Sequence, residues 1–190
     1  DQVTINITQP ASAVVITRSP GATVNLACNG DTNGTGSFTA SGGTGAHTFT
    51  VTGNTTGGTT SIVGSVLTFS GAGAGIISVD VRDANNCLRS SSITITAPPA
   101  LVLTPSAASI TLLCNGDTNG TGSFTASGGT GAHTFTVTGN TTGGTTSIVG
   151  SVLSFSGAGP GTISVDVRDA NNCLRSSSIT ITAPPALVLT

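Results

Sequence analysis

Lysine, glutamate, methionine, tryptophan and tyrosine are all absent from this chain of 190 residues. Charged residues make up 6% of it, five Arg and seven Asp, against roughly 25% in an average protein. With so few cations and no cluster of them, no basic surface exists to neutralise phosphates, which excludes nucleic-acid binding. No run of about 18 apolar residues exists, so no helix of this sequence spans a membrane. No cysteine pair has C-x-x-C spacing and no His cluster accompanies the cysteines, which argues against metal and redox motifs. Helical periodicity is missing as well. Disorder goes with high net charge and low hydrophobicity; here the net charge is −2 and the mean hydropathy is +0.31. The sequence therefore describes a folded chain with a neutral surface of Thr, Ser, Asn and Gly, suited to a secreted material or a packed filament.

What the chain does have is a copy of itself. The stretch Cys28 to Thr104 recurs as Cys114 to Thr190, 86 positions later. Only Thr68/Ser154, Ala74/Pro160 and Ile76/Thr162 differ. Self-similarity at a fixed period marks a repeat architecture. An active site is rarely needed twice in tandem, whereas a stalk or fibre needs one unit many times, so the reading is non-catalytic.

Within each copy apolar residues alternate with Thr, Ser or charged residues at period two, and Gly and Pro punctuate every 8 to 12 residues, the pattern of short strands. In the first copy the spacing predicts strands near Ala13–Thr17, Thr23–Ala27, Gly36–Ala40, His47–Thr52, Thr60–Val63, Val66–Ser70, Gly75–Arg82 and Leu88–Thr96. Ile77, Val79 and Val81 should face a core, and Asp83–Asn86 should form a hairpin turn. The fold class is all-β, tandem immunoglobulin-like β-sandwich domains in an elongated array. Residues 1–10 read as the last strand of a preceding repeat, 11–97 as repeat 1, 98–184 as repeat 2, and 185–190 as the first strand of a following one. Ile5 and Ile7 at one end, and Leu187 and Leu189 at the other, are candidates for strand exchange between molecules if the chain is not a piece of a longer array.

Cys28, Cys87, Cys114 and Cys173 place two cysteines in each repeat. They are expected to form disulfides. Of the three possible connectivities, identical spacing within the repeats favours Cys28–Cys87 and Cys114–Cys173. Each bond would close a loop of about 60 residues, worth roughly 4 kcal/mol, and implies an oxidising compartment.

Three segments carry a family resemblance: Cys28-Asn29-Gly30-Asp31-Thr32-Asn33-Gly34, then Ala40-Ser41-Gly42-Gly43-Thr44-Gly45, then Gly75 leading to Val79-Asp80-Val81-Arg82-Asp83-Ala84-Asn85-Asn86-Cys87. Both copies have this order, which resembles the SprB-type repeat of giant surface proteins in gliding Bacteroidetes. The resemblance implies a cell-surface or extracellular protein, type IX export, a role in adhesion or gliding, and an immunoglobulin- or PKD-like sandwich.

Further candidates are weighed on residue chemistry. Asp31, Asp80 and Asp83, with Asp117, Asp166 and Asp169 in the second copy, would converge on calcium if the expected disulfide joined their turns; as turn formers they need no metal. No other cofactor is expected. His47 and His133 read as strand-edge residues, and Asp80 as a cross-strand partner for Arg82 or Arg89. The expected partner is the chain itself, as adjacent repeats or filament neighbours. Loops Gly42–Gly45 and Asn54–Gly58 offer the rival reading, a module binding surface polysaccharide.

Overall fold

The computed structural model describes residues 3, 5, 12–19 and 23–189. Its described residues contain sixteen strands, as the period-two pattern requires. They divide into two compact units. Unit 1 comprises residues 1–26 and 30–97; unit 2 comprises 27–29 and 98–190.

Unit 1 is built from β1 (Val15–Ser19), β2 (Thr23–Asn25), β3 (Gly34–Ser41), β4 (Thr48–Asn54), β5 (Thr59–Val63), β6 (Val66–Ala72), β7 (Gly75–Arg82) and β8 (Leu88–Thr96). One sheet has the order β1-β3-β6-β5 and the other β2-β8-β7-β4. All neighbours are antiparallel except β2 and β8, which pair in parallel with Thr23 opposite Thr94 and Asn25 opposite Thr96. The two sheets enclose one apolar cluster. Phe38, Leu67 and Phe69 come from the first sheet, and Ile77, Val79, Val81, Ile93 and Ile95 from the second. The alternation in β7 falls as the sequence predicts: Ile77, Val79 and Val81 are buried, whereas Arg82 is exposed. This is the immunoglobulin-like sandwich, two sheets packed face to face through alternate side chains.

Unit 2 repeats the plan with β9 (Val102–Pro105), β10 (Ser109–Thr111), β11 (Gly120–Ser127), β12 (Thr134–Asn140), β13 (Thr145–Val149), β14 (Val152–Ala158), β15 (Gly161–Arg168) and β16 (Leu174–Thr182). Its sheets are β9-β11-β14-β13 and β10-β16-β15-β12. The three differences between the copies avoid the core. Thr68, Ala74, Ile76, Ser154 and Pro160 are exposed, and Thr162 is half-exposed. Each unit thus draws its two sheets from its own eight strands.

Packing explains one invariant of both copies. Gly36 lies on β3 beneath the Phe69 ring, and a Cβ there would sit 2.5 Å from Phe69 Cζ. Only glycine lets that ring close over the strand and meet Phe38, at a centroid separation of 6.4 Å.

Of the strand-exchange candidates, Ile5, Leu187 and Leu189 lie outside the strands and are exposed, and Ile7 falls outside the described residues. No helix of the described residues is long and apolar enough to cross a membrane.

The core should dominate stability. Leu67 is fully buried and Leu88 is half-exposed. Leu67→Ala should cost about 2–5 kcal/mol and Leu88→Ala less than about 1 kcal/mol, as read by denaturant unfolding.

Candidate functional site

The chemistry of each unit gathers at the turn that joins the two central strands of one sheet, β7 to β8 and β15 to β16. Between β7 and β8, Asp83 begins a tight reversal closed by Asn86 N–H donating to Asp83 O (3.0 Å) and Asp83 N–H donating to Cys87 O (3.3 Å). Asn86 takes a φ of 63°, which asparagine tolerates better than most residues. The Asp83 carboxylate is buried and fully engaged. Oδ1 accepts from the Asn85 and Cys87 amides at 2.9 and 2.8 Å, and Oδ2 accepts from the Thr44 amide at 2.9 Å. Ala84 N–H donates to Thr44 O at 2.9 Å. The turn is thereby bound to the Gly42–Gly45 loop. Gly43 sits against the carboxylate, and a Cβ at Gly43 would stand 2.7 Å from Asp83 Oδ2.

His47 secures the other side of that loop. Its Nε2 lies 2.9 Å from Gly42 O and its Nδ1 2.8 Å from Ser65 Oγ. A carbonyl only accepts, so Nε2 carries the proton. His133 does the same with Gly128 and Ser151. Each histidine, just before β4 or β12, links two loops, a role beyond the plain strand-edge residue that the sequence suggests. The Asn54–Gly58 loop is likewise bound to itself: Asn54 Oδ1 accepts from Thr56 Oγ1 at 2.7 Å and Asn54 Nδ2 donates to Gly58 O at 2.8 Å.

Thr44, Cys87 and Asn85 amides hold the Asp83 carboxyl below its ordinary value of 3.8, against the opposing effect of burial. At Asp169 burial opposes ionisation most strongly. The Thr130, Cys173 and Asn171 amides and the nearby His133 outweigh it, and the value again falls. Burial pushes the Cys87 thiol up, and the Asp83 charge beside it adds to the shift.

The cysteine pairing departs from the expectation. Cys28 bonds Cys173, with a Cα–Cα distance of 5.6 Å. Cys87 and Cys114 are exposed thiols. The parallel pairing of β2 with β8 is the reason. Cys28 follows β2, which runs beside Thr94–Thr96 at the end of β8, whereas Cys87 immediately precedes Leu88 at its start. The nine residues of β8 span roughly 30 Å, and a disulfide tolerates at most about 7 Å between Cα atoms. Cys28–Cys87 is therefore impossible in this fold. β10 and β16 pair in the same way, which excludes Cys114–Cys173.

The bond that does form lies inside unit 2. There Asn171 Nδ2 donates to Ala27 O at 2.8 Å, and Asn29 Nδ2 donates to Pro98 O at 3.0 Å. The bond closes a sequence separation of 145 residues, worth about 5 kcal/mol in the chain-entropy picture.

The calcium candidates do not come together. Asp83 and Asp169 are engaged by backbone amides, and Asp80 accepts from Ser90 Oγ at 2.6 Å, as Asp166 does from Ser176. Asp117 Oδ2 accepts from the Cys114 amide at 3.0 Å. Asp31 lies in the turn after Cys28, and the bond expected to bring that turn to Asp83 is not made. Among the described residues no group of three or more His, Cys, Asp or Glu is placed to hold a metal. Instead of the expected ion pair with Asp80, Arg82 donates to Asn86 O at 3.1 Å. Sequence reasoning missed Asn171, which donates to the Cys28 segment at Ala27 O, and Asn29, which ties that segment to Pro98 O; nothing in their spacing distinguishes them from other turn asparagines.

No family model matches the chain, and no curated protein matches it. Solved structures do. The human desmocollin-1 ectodomain matches with a TM-score of 0.52 at 8% identity, over 96% of this chain and 38% of that one. Protocadherin gamma B2 extracellular cadherin domains 3–6 match with a TM-score of 0.50 at 9% identity, over 90% of this chain and 50% of that one. The titin I-band fragment I67–I69 has a TM-score of 0.48 at 14% identity, over 93% of this chain and 66% of that one. The chain thus spans only 38% to 66% of these chains' own length. At such low identity the likeness to desmocollin-1 and protocadherin gamma B2 is one of fold alone.

The depressed carboxyls predict acid sensitivity. A folded-state pKa below the unfolded value stabilises above the unfolded value and loses that contribution as pH falls through the folded one. The melting temperature should therefore drop on acidification below about pH 4. Asp83→Asn should lower it already at pH 7 and flatten its acid dependence; Asp80→Asn, which removes a single exposed contact, should leave the value at pH 7 nearly unchanged. Thermal unfolding between pH 2 and pH 7 reads all three.

Proposed function

We propose that this chain is a non-catalytic structural repeat module of a long extracellular bacterial surface protein or fibre, an adhesin stalk or filament. The observation that carries this reading is the duplication of whole networks as well as of residues. Core, Asp turn, His crosslink and Asn54-type loop recur with the same partners and nearly the same distances in both units, and the three differences between the copies lie outside the buried core. The SprB-type resemblance supports placing the module on the surface of a gliding Bacteroidetes, and the oxidised pair supports an exported location.

The mechanism is mechanical. Antiparallel ladders closed over an apolar core resist shear, and further copies extend reach by on the order of 35–45 Å each, from strands of about 3.4 Å per residue. Cys28–Cys173 adds a covalent shortcut. Tension applied at the chain ends passes through the sulfur bridge, so the 145-residue separation that it closes cannot be drawn out. The neutral hydroxyl-rich exterior lets modules lie close together without charge repulsion.

The first test is the mass of the native polypeptide, reduced and denatured, beside the native mass of the particle. Either the polypeptide weighs many times 18.3 kDa, a tandem array, or it weighs about that and sediments as a polymer. A polypeptide of that mass that stays monomeric in its native setting would end the reading. A second test stretches single molecules by their ends. Reduction should lengthen the fully extended chain by roughly 500 Å, the 145 residues held by the bridge at about 3.5 Å each. No gain on reduction would remove the bridge from the load path.

A further inference from the structure

The 86-residue equivalence makes Cys87 the counterpart of Cys173 and Cys114 the counterpart of Cys28. Cys28 and Cys173 are bonded; their counterparts are both exposed thiols. In unit 2 the Cys173 turn carries a docked segment, Ala27-Cys28-Asn29. Cys173 is half-buried there, Asn171 holds Ala27 O, and Asn29 holds Pro98 O. In unit 1 the same turn has the same Asp83 scaffold, Cys87 is exposed, and a cavity of about 340 Å³ opens beside it between Ala13, Val14, Gly43, Asp83 and Leu88.

The counterpart of the docked segment is equally well formed. Cys114 N–H donates to Asp117 Oδ2 at 3.0 Å and Asp117 N–H to Cys114 O at 3.3 Å, which fixes a knuckle. Asn115 Nδ2 donates to Pro184 O at 3.0 Å, the bond that Asn29 makes to Pro98. Gly116 has a φ of 85° and Gly30 one of 86°. Leu113, in the place of Ala27, is 88% exposed. The described residues therefore include one preformed donor knuckle and one preformed acceptor turn, and the bonded Cys28–Cys173 pair shows how two such elements fit.

We propose that Leu113-Cys114-Asn115 of one molecule docks on the Cys87 turn of a second copy of this chain and forms a Cys114–Cys87 disulfide. Leu113 lies against the cavity beside Cys87, and Asn85 holds Leu113 O as Asn171 holds Ala27 O. Donor and acceptor are different surfaces, so the contact is head-to-tail and propagates into a polymer unless it closes a ring. The oxidant is a disulfide, such as oxidised glutathione. The Cys114 thiolate displaces one glutathione thiolate to give a mixed disulfide. The Cys87 thiolate then attacks the Cys114 sulfur and expels the second. Two protein thiols lose two electrons and two protons, and one glutathione disulfide becomes two thiols. The proposal rests on the reading of the chain as a fibre module and names the bond that joins its copies.

The test incubates the purified chain with oxidised glutathione and resolves the products without reductant, followed by peptide mapping. Expected is a ladder in steps of 18.3 kDa whose only new cross-linked peptide joins Cys114 to Cys87. Cys87→Ser and Cys114→Ser should each abolish the ladder, and an equimolar mixture of the two should yield one heterodimer. Leu113→Asp, at an exposed position, should slow that heterodimer by about tenfold, the effect of losing on the order of 1.4 kcal/mol of docking energy. Symmetric Cys87–Cys87 and Cys114–Cys114 dimers at statistical yield, pairing within the chain, or a product that remains monomeric would each overturn the proposal. Those outcomes leave the native mass untouched, so the fibre reading stands or falls separately.

Discussion

The length of one strand governs the covalent organisation of this molecule. β8 holds the two cysteine positions of its repeat about 30 Å apart, because β2 pairs in parallel with its far end. No side-chain rearrangement brings Cys28 to Cys87 across that distance. A cysteine at one end of a sandwich can then bond only to something other than its own repeat's second cysteine. The chain meets this by placing Ala27–Asn29 in the second compact unit and returning at Gly30 to the first.

That pairing needs a turn rigid enough to present sulfur in a constant position. A buried aspartate supplies it. Asp83 and Asp169 each accept three backbone amides, and the carboxylate ties the turn to the glycine-rich loop beneath it. Burying an ion is costly unless its lone pairs are satisfied. No buried side-chain nitrogen or oxygen lacks a partner among the described residues. Of the seven acids and five arginines in all, Asp83 and Asp169 are buried in turns, whereas the arginines lie exposed on strands. Rigidity at the turns lets the same unit recur without distortion.

The duplication also shows where the fold tolerates change. Ile76 and Thr162 occupy the outward side of equivalent strands, next to Ile77 and Ile163, which are fully buried. A one-residue step along a strand separates a position free to lose its apolar side chain from one that cannot, because successive side chains face opposite sides of a sheet.

The amino-acid sequence alone determined the fold class. The period-two alternation of Ile77, Val79 and Val81 leaves one physical solution, a strand with one face in a core. The Gly, Asn and Asp punctuation sets where each strand ends, and all eight expected strands of the first repeat are present in the structure. The turn at Asp83–Asn86 was legible for the same local reason. The cysteine pairing was not, nor was the role of Asp83 as an acceptor of three backbone amides, nor the choice of Ser90 over arginine as the partner of Asp80. Each depends on which segments lie side by side after folding. Spacing along the chain records how many residues separate two cysteines, and only the direction in which β2 runs against β8 decides whether those residues bring them together or hold them apart.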